Sequence, residues 1–139
     1  MTLMKIDGRC HCGSITWEAE IDPATVAICH CSDCQTLSGS AFRTVVPASR
    51  QNFRLLTGQP RIYVKTAESG NQRAQAFCGE CGTPIYSAAP VDPPMYSIRL
   101  GTSRQRGELA PKSQSWARSA CGWVGEIGAI PRFETAQRS

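Results

Sequence analysis

The stretch Cys29-His30-Cys31-Ser32-Asp33-Cys34 places three thiols within six residues. Two further cysteine pairs flank it in the chain, Cys10/Cys12 before it and Cys78/Cys81 after it. A deprotonated thiol is a soft anionic ligand suited to zinc, and short spacings let neighbouring sulfurs meet at one ion without a large loop-closure cost. A closed tetrahedral zinc site takes four protein ligands, so the seven clustered thiols divide into four and three. A three-ligand site leaves one position for water or substrate.

The most specific short motif is Phe77-Cys78-Gly79-Glu80-Cys81-Gly82-Thr83-Pro84. In such a C-x2-C-G turn both sulfurs point to one side, and the glycine after the second cysteine tolerates a positive φ that turns an amide toward sulfur. Its natural partner is the other two-cysteine element, Gly8-Arg9-Cys10-His11-Cys12-Gly13. The sequence therefore predicts a closed, structural zinc site and a second, open zinc site. The predicted ligands are Cys10, Cys12, Cys78 and Cys81 for the first site, and Cys29, Cys31 and Cys34 for the second.

Three further residues compete as ligands. His11 and His30 each follow one cysteine and precede another. A residue between two convergent ligands usually points away from them, which favours a non-ligand role for both histidines. Cys121 is the eighth cysteine and has no near partner in the sequence. It is either the fourth ligand of the second site or a small buried hydrophobic residue, and the latter is favoured.

Length and composition predict one zinc-binding domain over 1–139, rich in loops because the chain has 9 prolines and 12 glycines. The net charge of +4 comes from scattered basic residues, a pattern that argues against nucleic-acid binding. The chain shows neither a secretory signal nor an apolar run of about 18 residues, so we expect a cytoplasmic protein without a membrane span. In that compartment clustered cysteines are more often metal ligands than disulfides, although an even number of cysteines keeps disulfides as an alternative.

The rest of the chain consists of short segments in which apolar and polar residues alternate, separated by turn residues. This pattern predicts an all-β domain of small sheets whose ends are tied together by the metal sites. Ser32 and Asp33 are expected to cap one helical turn that ends at Gly39. The predicted strands are 15–21, 42–46, 53–56, 62–65, 74–77, 85–87 and 95–100.

Five motifs occur in a fixed order along roughly 8–123. They are G-x-C-x-C-G at 8–13, C-H-C-x2-C at 29–34, S-G-S-A-F at 38–42, F-C-x2-C-G-T-P-I-Y at 77–86, and the late tryptophan Trp123. Together they resemble the glutathione-dependent formaldehyde-activating family, which also includes centromere protein V. The resemblance implies an arrangement of small sheets called a β-tent. It also implies a structural zinc on the two cysteine pairs and a catalytic zinc on the cysteine triplet.

The activity that the resemblance implies is formation of S-hydroxymethylglutathione from glutathione and formaldehyde, a carbon–sulfur lyase reaction. One position departs from the family pattern. Family members often carry a histidine in a P-x-x-H stretch before the late tryptophan, and this chain has Gln114 there. If that histidine serves the substrate or a proton transfer, this chain acts on a different substrate.

The leading hypothesis is therefore an enzyme of the carbon–sulfur lyase type. Its open zinc would bind a thiol such as glutathione, lower the pKa of that thiol and let it add to an aldehyde, or support the reverse cleavage. Two alternatives stay open: a non-catalytic binding module stabilised by zinc, and a zinc–thiolate redox sensor that releases its ion on oxidation. The candidate clamps for a carboxylate-bearing thiol are Arg99, Arg104, Arg106, Lys112 and Arg118.

Overall fold

The computed structural model describes residues 2–137, and strands dominate it, which confirms the all-β prediction. No helix within these residues has the length and apolar character needed to cross a membrane. The strands are β1 Met4–Arg9, β2 Thr16–Ile21, β3 Ala27–Cys29, β4 Arg43–Ser49, β5 Phe53–Thr57, β6 Arg61–Thr66, β7 Gln72–Phe77, β8 Pro84–Ala88, β9 Met95–Arg99 and β10 Ser113–Ser115. The α-helix in this part of the chain is α1, Ser32–Ser38. Short 3-10 helices span Pro23–Thr25, Arg50–Asn52, Leu100–Thr102, Arg106–Glu108, Ala117–Ser119 and Val124–Ala129.

A three-stranded antiparallel sheet in the order β1-β2-β5 forms one side of the fold. Along β2 the side chains alternate as the sequence predicted, with Trp17, Ala19 and Ile21 buried. Strand β1 was not predicted. It carries only one fully buried apolar side chain, Ile6, so its alternation is too weak to identify from sequence.

A seven-stranded sheet in the order β10-β3-β4-β9-β8-β7-β6 forms the other side. Its neighbouring strands are antiparallel, except that β10 runs parallel to β3. The predicted segments from 42 onward correspond to β4 to β9. Strand β10 was missed because Ser113-Gln114-Ser115 contains no apolar residue. It is held by backbone pairing, with Ser115 opposite Cys29.

The hydrophobic core joins residues of both sheets. Phe53 of β5 lies at its centre, with its ring centroid 6.0 Å from that of Trp17 in its own sheet. The same ring lies 5.4 Å from Tyr86 and 4.8 Å from Tyr96, which belong to the seven-stranded sheet. The core therefore covers one face of the seven-stranded sheet and leaves the opposite face free for a different role.

Gly8 allows β1 to approach the core closely. A Cβ atom at this position would overlap the indole of Trp17 and the carbonyl oxygen of Thr102. Gly8→Ala is therefore expected to destabilise the protein by about 1–3 kcal/mol through overpacking, measured as the free energy of unfolding in urea. Gly107→Ala is the matched control, because nothing lies within 4 Å of the Cβ it would add. Equal stability of the two variants would contradict this account of the contact.

Candidate metal centres and the adjoining cavity

The first cysteine group connects the two sheets. Cys10 and Cys12 follow β1 of the three-stranded sheet, and Cys78 and Cys81 follow β7 of the seven-stranded sheet. Their four sulfurs lie within 4.8 Å of one another. The Sγ–Sγ distance is 3.6 Å for Cys10–Cys12 and 3.8 Å for Cys12–Cys78. Zinc–sulfur bonds of about 2.3 Å in a tetrahedron require sulfurs about 3.8 Å apart, so the spacing and the chemistry of the donors fit zinc.

The two cysteine turns share one backbone pattern. The amide of Cys10 donates to the carbonyl of Ile15 at 3.0 Å, and the amide of Cys78 donates to that of Thr83 at 2.9 Å. A glycine within each turn has a positive φ, 84° at Gly13 and 82° at Gly82. The positive φ expected after the second cysteine of the C-x2-C-G motif is therefore present.

Amides and hydroxyls surround these sulfurs. The Thr83 hydroxyl lies 3.2 Å from the sulfur of Cys81, and its hydrogen bond is the main reason that the pKa of this thiol falls to about 5. Burial raises the pKa of Cys10, but hydrogen bonds from the Ile15 amide and the Ser14 hydroxyl outweigh it, and the pKa falls. The surroundings thus favour the thiolate form of Cys10 and Cys81, which is the form that binds metal. Hydrogen bonds from Ser14 act to lower the pKa of Cys12, but burial and the neighbouring thiols of Cys10 and Cys81 outweigh them and raise that pKa.

The second group is local to one turn of chain. Cys29 ends β3, Cys31 immediately precedes α1, and Cys34 lies in the first turn of the helix. Their sulfurs also lie within 4.8 Å of one another. All eight cysteines are free thiols, so the disulfide alternative finds no support in the structure.

Helix α1 is capped by one of these thiols. The sulfur of Cys31 accepts a hydrogen bond from the amide of Cys34 at 3.3 Å, so the prediction that Ser32 and Asp33 cap the helix was wrong. Cys31 has an extended backbone, which places its side chain over the first free amides, whereas Asp33 accepts an ion-paired hydrogen bond from Lys65 Nζ at 2.6 Å. The helix ends at Gly39 in the left-handed conformation, as predicted.

Two of the three clustered thiols, Cys29 and Cys31, differ in their acidity. Burial, together with the neighbouring sulfurs, raises the pKa of Cys29 to about 12. Burial also acts to raise the pKa of Cys31, but the Cys34 amide and the neighbouring thiols outweigh it and lower the pKa. Three adjacent thiolates repel one another in the absence of a cation, so this donor set also fits a bound metal ion.

A cavity of about 280 Å³ adjoins the second group and is lined by Cys29 and Cys34. Its floor is a polar face of the seven-stranded sheet. Gln75, Ser87 and Ser97 stand side by side on β7, β8 and β9, because Gln75 pairs with Ser87 and Ser87 with Ser97. Four basic side chains complete the lining: Arg43, Lys65, Arg73 and Arg99.

Arg73 and Arg99 are held by this polar floor. Arg99 donates to Gln75 Oε1 at 2.9 Å and to Ser97 Oγ at 3.3 Å, and Arg73 donates to Ser87 Oγ at 3.3 Å. Burial, together with the positive charges of Arg43 and Arg73, lowers the pKa of Arg99 to about 10. The cavity is thus a strongly cationic pocket next to three sulfurs.

Residues 5–119 match the model of a family described as glutathione-dependent formaldehyde-activating enzyme. The chain belongs to this family. The matched range contains all seven clustered cysteines, so the resemblance seen in the sequence motifs is confirmed.

The fold of this family member is also found in a crystal structure of a Rhodobacter sphaeroides protein. The two chains are 19% identical, and the similarity covers 78% of this chain and 99% of the other, with a TM-score of 0.61. At that identity the comparison shows a shared fold.

Gln114, at the position where the sequence resemblance leads us to expect a histidine, contacts a histidine elsewhere in the chain. Its Oε1 lies 2.7 Å from Nε2 of the buried His30. Within the described residues, His30 and His11 both lie outside the two cysteine groups. Cys121 also lies outside them, with its sulfur 3.8 Å from Oε1 of Gln35.

The basic residues that the sequence suggested as carboxylate clamps are mostly elsewhere. Arg99 lines the cavity beside the triplet. Arg104 and Arg106 line a separate cavity of about 670 Å³ beside Cys10, and Lys112 lines a groove with His30. Arg118 lies 4.9 Å above the ring of Trp116. The sequence missed Arg43, Lys65 and Arg73, because only the strand order of the folded sheet brings them to the triplet.

Trp116 is a further cavity residue that sequence reasoning did not identify. Its indole lines the cavity and is half exposed, and its backbone adopts a φ of 56°. A positive φ is strained for a bulky residue, and such strain concentrates at binding and catalytic sites. The left-handed backbone and the place in the cavity lining make Trp116 a candidate site residue that only the folded structure identifies.

Proposed function

We propose that this chain is a zinc-dependent enzyme of the carbon–sulfur lyase type that forms or cleaves the adduct of a thiol and an aldehyde. The observation that carries the proposal is the unequal division of the cysteines. Four sulfurs make up a complete tetrahedral set between the sheets, while the other three form a second group, of which Cys29 and Cys34 line a cavity that admits a small molecule. A purely structural role would require only the first set.

The reaction is a simple addition. The thiol sulfur forms a bond to the aldehyde carbon, the carbonyl double bond becomes a single C–O bond, and the proton lost by sulfur ends on that oxygen. Zinc bound by Cys29, Cys31 and Cys34 would supply a Lewis acid with one free coordination position, which lowers the pKa of a thiol. Glutathione and formaldehyde are the substrates that family membership suggests.

The chain's own residues supply charge and shape. Lys65, Arg73 and Arg99 place positive charge beside the sulfurs, where it stabilises the thiolate of a substrate relative to the neutral thiol. Leu37 and Trp116 add apolar surface to the lining of the cavity. A cytoplasmic location would suit this site, because thiols stay reduced there.

The test is an exchange measurement on the purified protein. Glutathione and ¹³C-formaldehyde form their adduct spontaneously, so two-dimensional NMR exchange spectroscopy can compare the rate in buffer with the rate in the presence of protein. Protein loaded with two zinc ions per chain is expected to speed the exchange by about a hundredfold or more, a modest enzymatic effect. Protein stripped with a chelator is expected to have no effect. An unchanged rate with the fully loaded protein, for glutathione and for smaller thiols, would reject catalysis in favour of a zinc-stabilised binding module.

A further inference from the structure

The polar face of the seven-stranded sheet is buried, yet part of it lacks hydrogen-bond partners. Arg43 and Arg99 are only 6% and 7% exposed. The Nε and Nη2 atoms of Arg43 and the Nε atom of Arg99 are buried without a partner. Buried polar groups in native proteins are nearly always satisfied, and both arginines line the cavity, so these unpartnered donors point to a ligand that accepts from the two side chains.

The charge of these arginines is also unbalanced. Within the described residues, no ion pair involves Arg43, Arg73 or Arg99. The acidic residue that lines the cavity, Asp33, is paired with Lys65. Three thiolates with one divalent cation carry a net charge of about −1, which cannot offset three guanidinium groups. A buried charge without a counterion is costly, so a native site that keeps one requires an anion as its partner.

We propose that Arg43, Arg73 and Arg99 form a carboxylate-binding site that holds the acid group of the substrate beside the cysteine triplet. A guanidinium presents paired N–H donors that match the two oxygens of a carboxylate, and this geometry gives specificity as well as affinity. The assignment to a substrate rests on the proposed function, whereas the carboxylate site itself requires only the arginines.

The cavity limits the size of the group that enters it. Its volume of about 280 Å³ is slightly below the range of about 300–1,000 Å³ that holds most ligands. The group bound there is therefore compact, with the carboxylate only a few bonds from the reacting thiol or aldehyde. A neighbouring cavity of about 320 Å³ shares Arg43, Gln75 and Arg99 and is lined by Tyr63 and Tyr86, so a longer thiol could extend into it.

The experiment compares pairs of small probes in which one member carries a carboxylate and the other does not. Mercaptoacetate is the acidic counterpart of 2-mercaptoethanol, and glyoxylate is the acidic counterpart of formaldehyde. In calorimetric titration of the zinc-loaded protein, we expect the acidic member of at least one pair to have a dissociation constant lower by about tenfold or more. This gain is typical of a charge-assisted hydrogen bond. A preference in the thiol pair assigns the carboxylate to the thiol, and a preference in the aldehyde pair assigns it to the aldehyde.

Two variants and a control identify the residues. Arg43→Met and Arg99→Met keep an unbranched apolar stem and are each expected to reduce the acidic preference by about tenfold. Arg54→Gln is the control, because Arg54 is an exposed residue of the other sheet that pairs with Glu18. It is expected to retain the wild-type preference.

Thermal unfolding separates ligand binding from a structural role. The unpartnered atoms of Arg43 contribute no hydrogen bond to the fold, so Arg43→Met is expected to melt at or above the wild-type temperature. A clear loss of stability in Arg43→Met would overturn the proposal. So would a wild-type protein without a preference for the acidic probes, or a preference that persists in both methionine variants.

The outcome for the carboxylate site is distinguishable from that for catalysis. Glyoxylate does not depend on a thiol to bind, so its affinity can be measured in Cys31→Ser, which lacks one of the three sulfurs. Arginine-dependent glyoxylate binding without any exchange activity in the wild type would support the carboxylate site and reject the enzyme. Exchange activity with equal binding of acidic and neutral probes would reject the carboxylate site and support the enzyme.

Discussion

Cys10→Ser is expected to lose the folded state at temperatures where the wild type remains native. Cys10 is completely buried, and its sulfur belongs to the group that connects β1 in one sheet to β7 in the other. Serine replaces a zinc ligand by a weakly binding hydroxyl and leaves three thiolates without a fourth. Structural zinc contributes binding energy directly to folding, so we expect a loss of about 5 kcal/mol or more and a fall in the melting temperature of about 20 °C.

The measurement is thermal unfolding by circular dichroism together with zinc content per chain. Cys121→Ser is the matched control, because Cys121 lies outside both sulfur groups and is only partly buried. It is expected to change stability by less than about 1 kcal/mol and to retain all bound zinc. A Cys10→Ser protein that melts within about 2 °C of the wild type, a shift of well under 1 kcal/mol, would show that the four-cysteine group does not hold the fold together.

The features that the sequence predicted are those encoded within a short stretch of chain. Alternation of apolar and polar residues identified β2 and the strands from β4 to β9, because burial of one face imposes a period of two. The glycine at 39 identified the end of α1, since a left-handed residue there suits glycine best. Close spacing also grouped the cysteines as the structure groups them, while their role as ligands stays a prediction.

The cationic cavity depends instead on the order of strands in the sheet. Arg43, Arg73 and Arg99 lie on β4, β7 and β9, far apart in the chain, and each lies within or next to an ordinary strand pattern. They meet because β4 lies next to β9 in the sheet, and only β8 separates β9 from β7. Surface and buried arginines look alike in a single sequence, so their convergence could be recognised only once the strand order was known.

Strand β10 shows how backbone pairing can decide local structure without any side-chain pattern. Ser113-Gln114-Ser115 is polar and exposed, but it pairs with β3 and places Gln114 against His30. The amide of His30 also donates to the carbonyl of Ser115 at 3.0 Å. Gln114 is thus attached directly to the strand that carries Cys29.

Cys31→Ser is expected to abolish the exchange activity and keep the fold. Removing one of three sulfurs leaves two, too few to hold zinc firmly, so the rate of thiol–aldehyde exchange should fall by about a hundredfold or more to that of buffer. The fold should survive because the sulfur of Cys31 has a second role that serine can perform. It caps α1 by accepting from the Cys34 amide, and serine is among the best residues for such a cap.

Cys31→Ala separates these two roles. It lacks both the metal ligand and the cap, so it should be as inactive as Cys31→Ser and less stable by about 1 kcal/mol, the usual cost of a lost cap. The two variants are compared with each other, because both lack the third sulfur and any zinc it helps to hold. Urea unfolding with zinc analysis gives the stability difference, and NMR exchange gives the rates. Wild-type activity in either variant would reject the triplet as the active metal site, since a catalytic zinc cannot lose a third of its protein ligands without loss of rate.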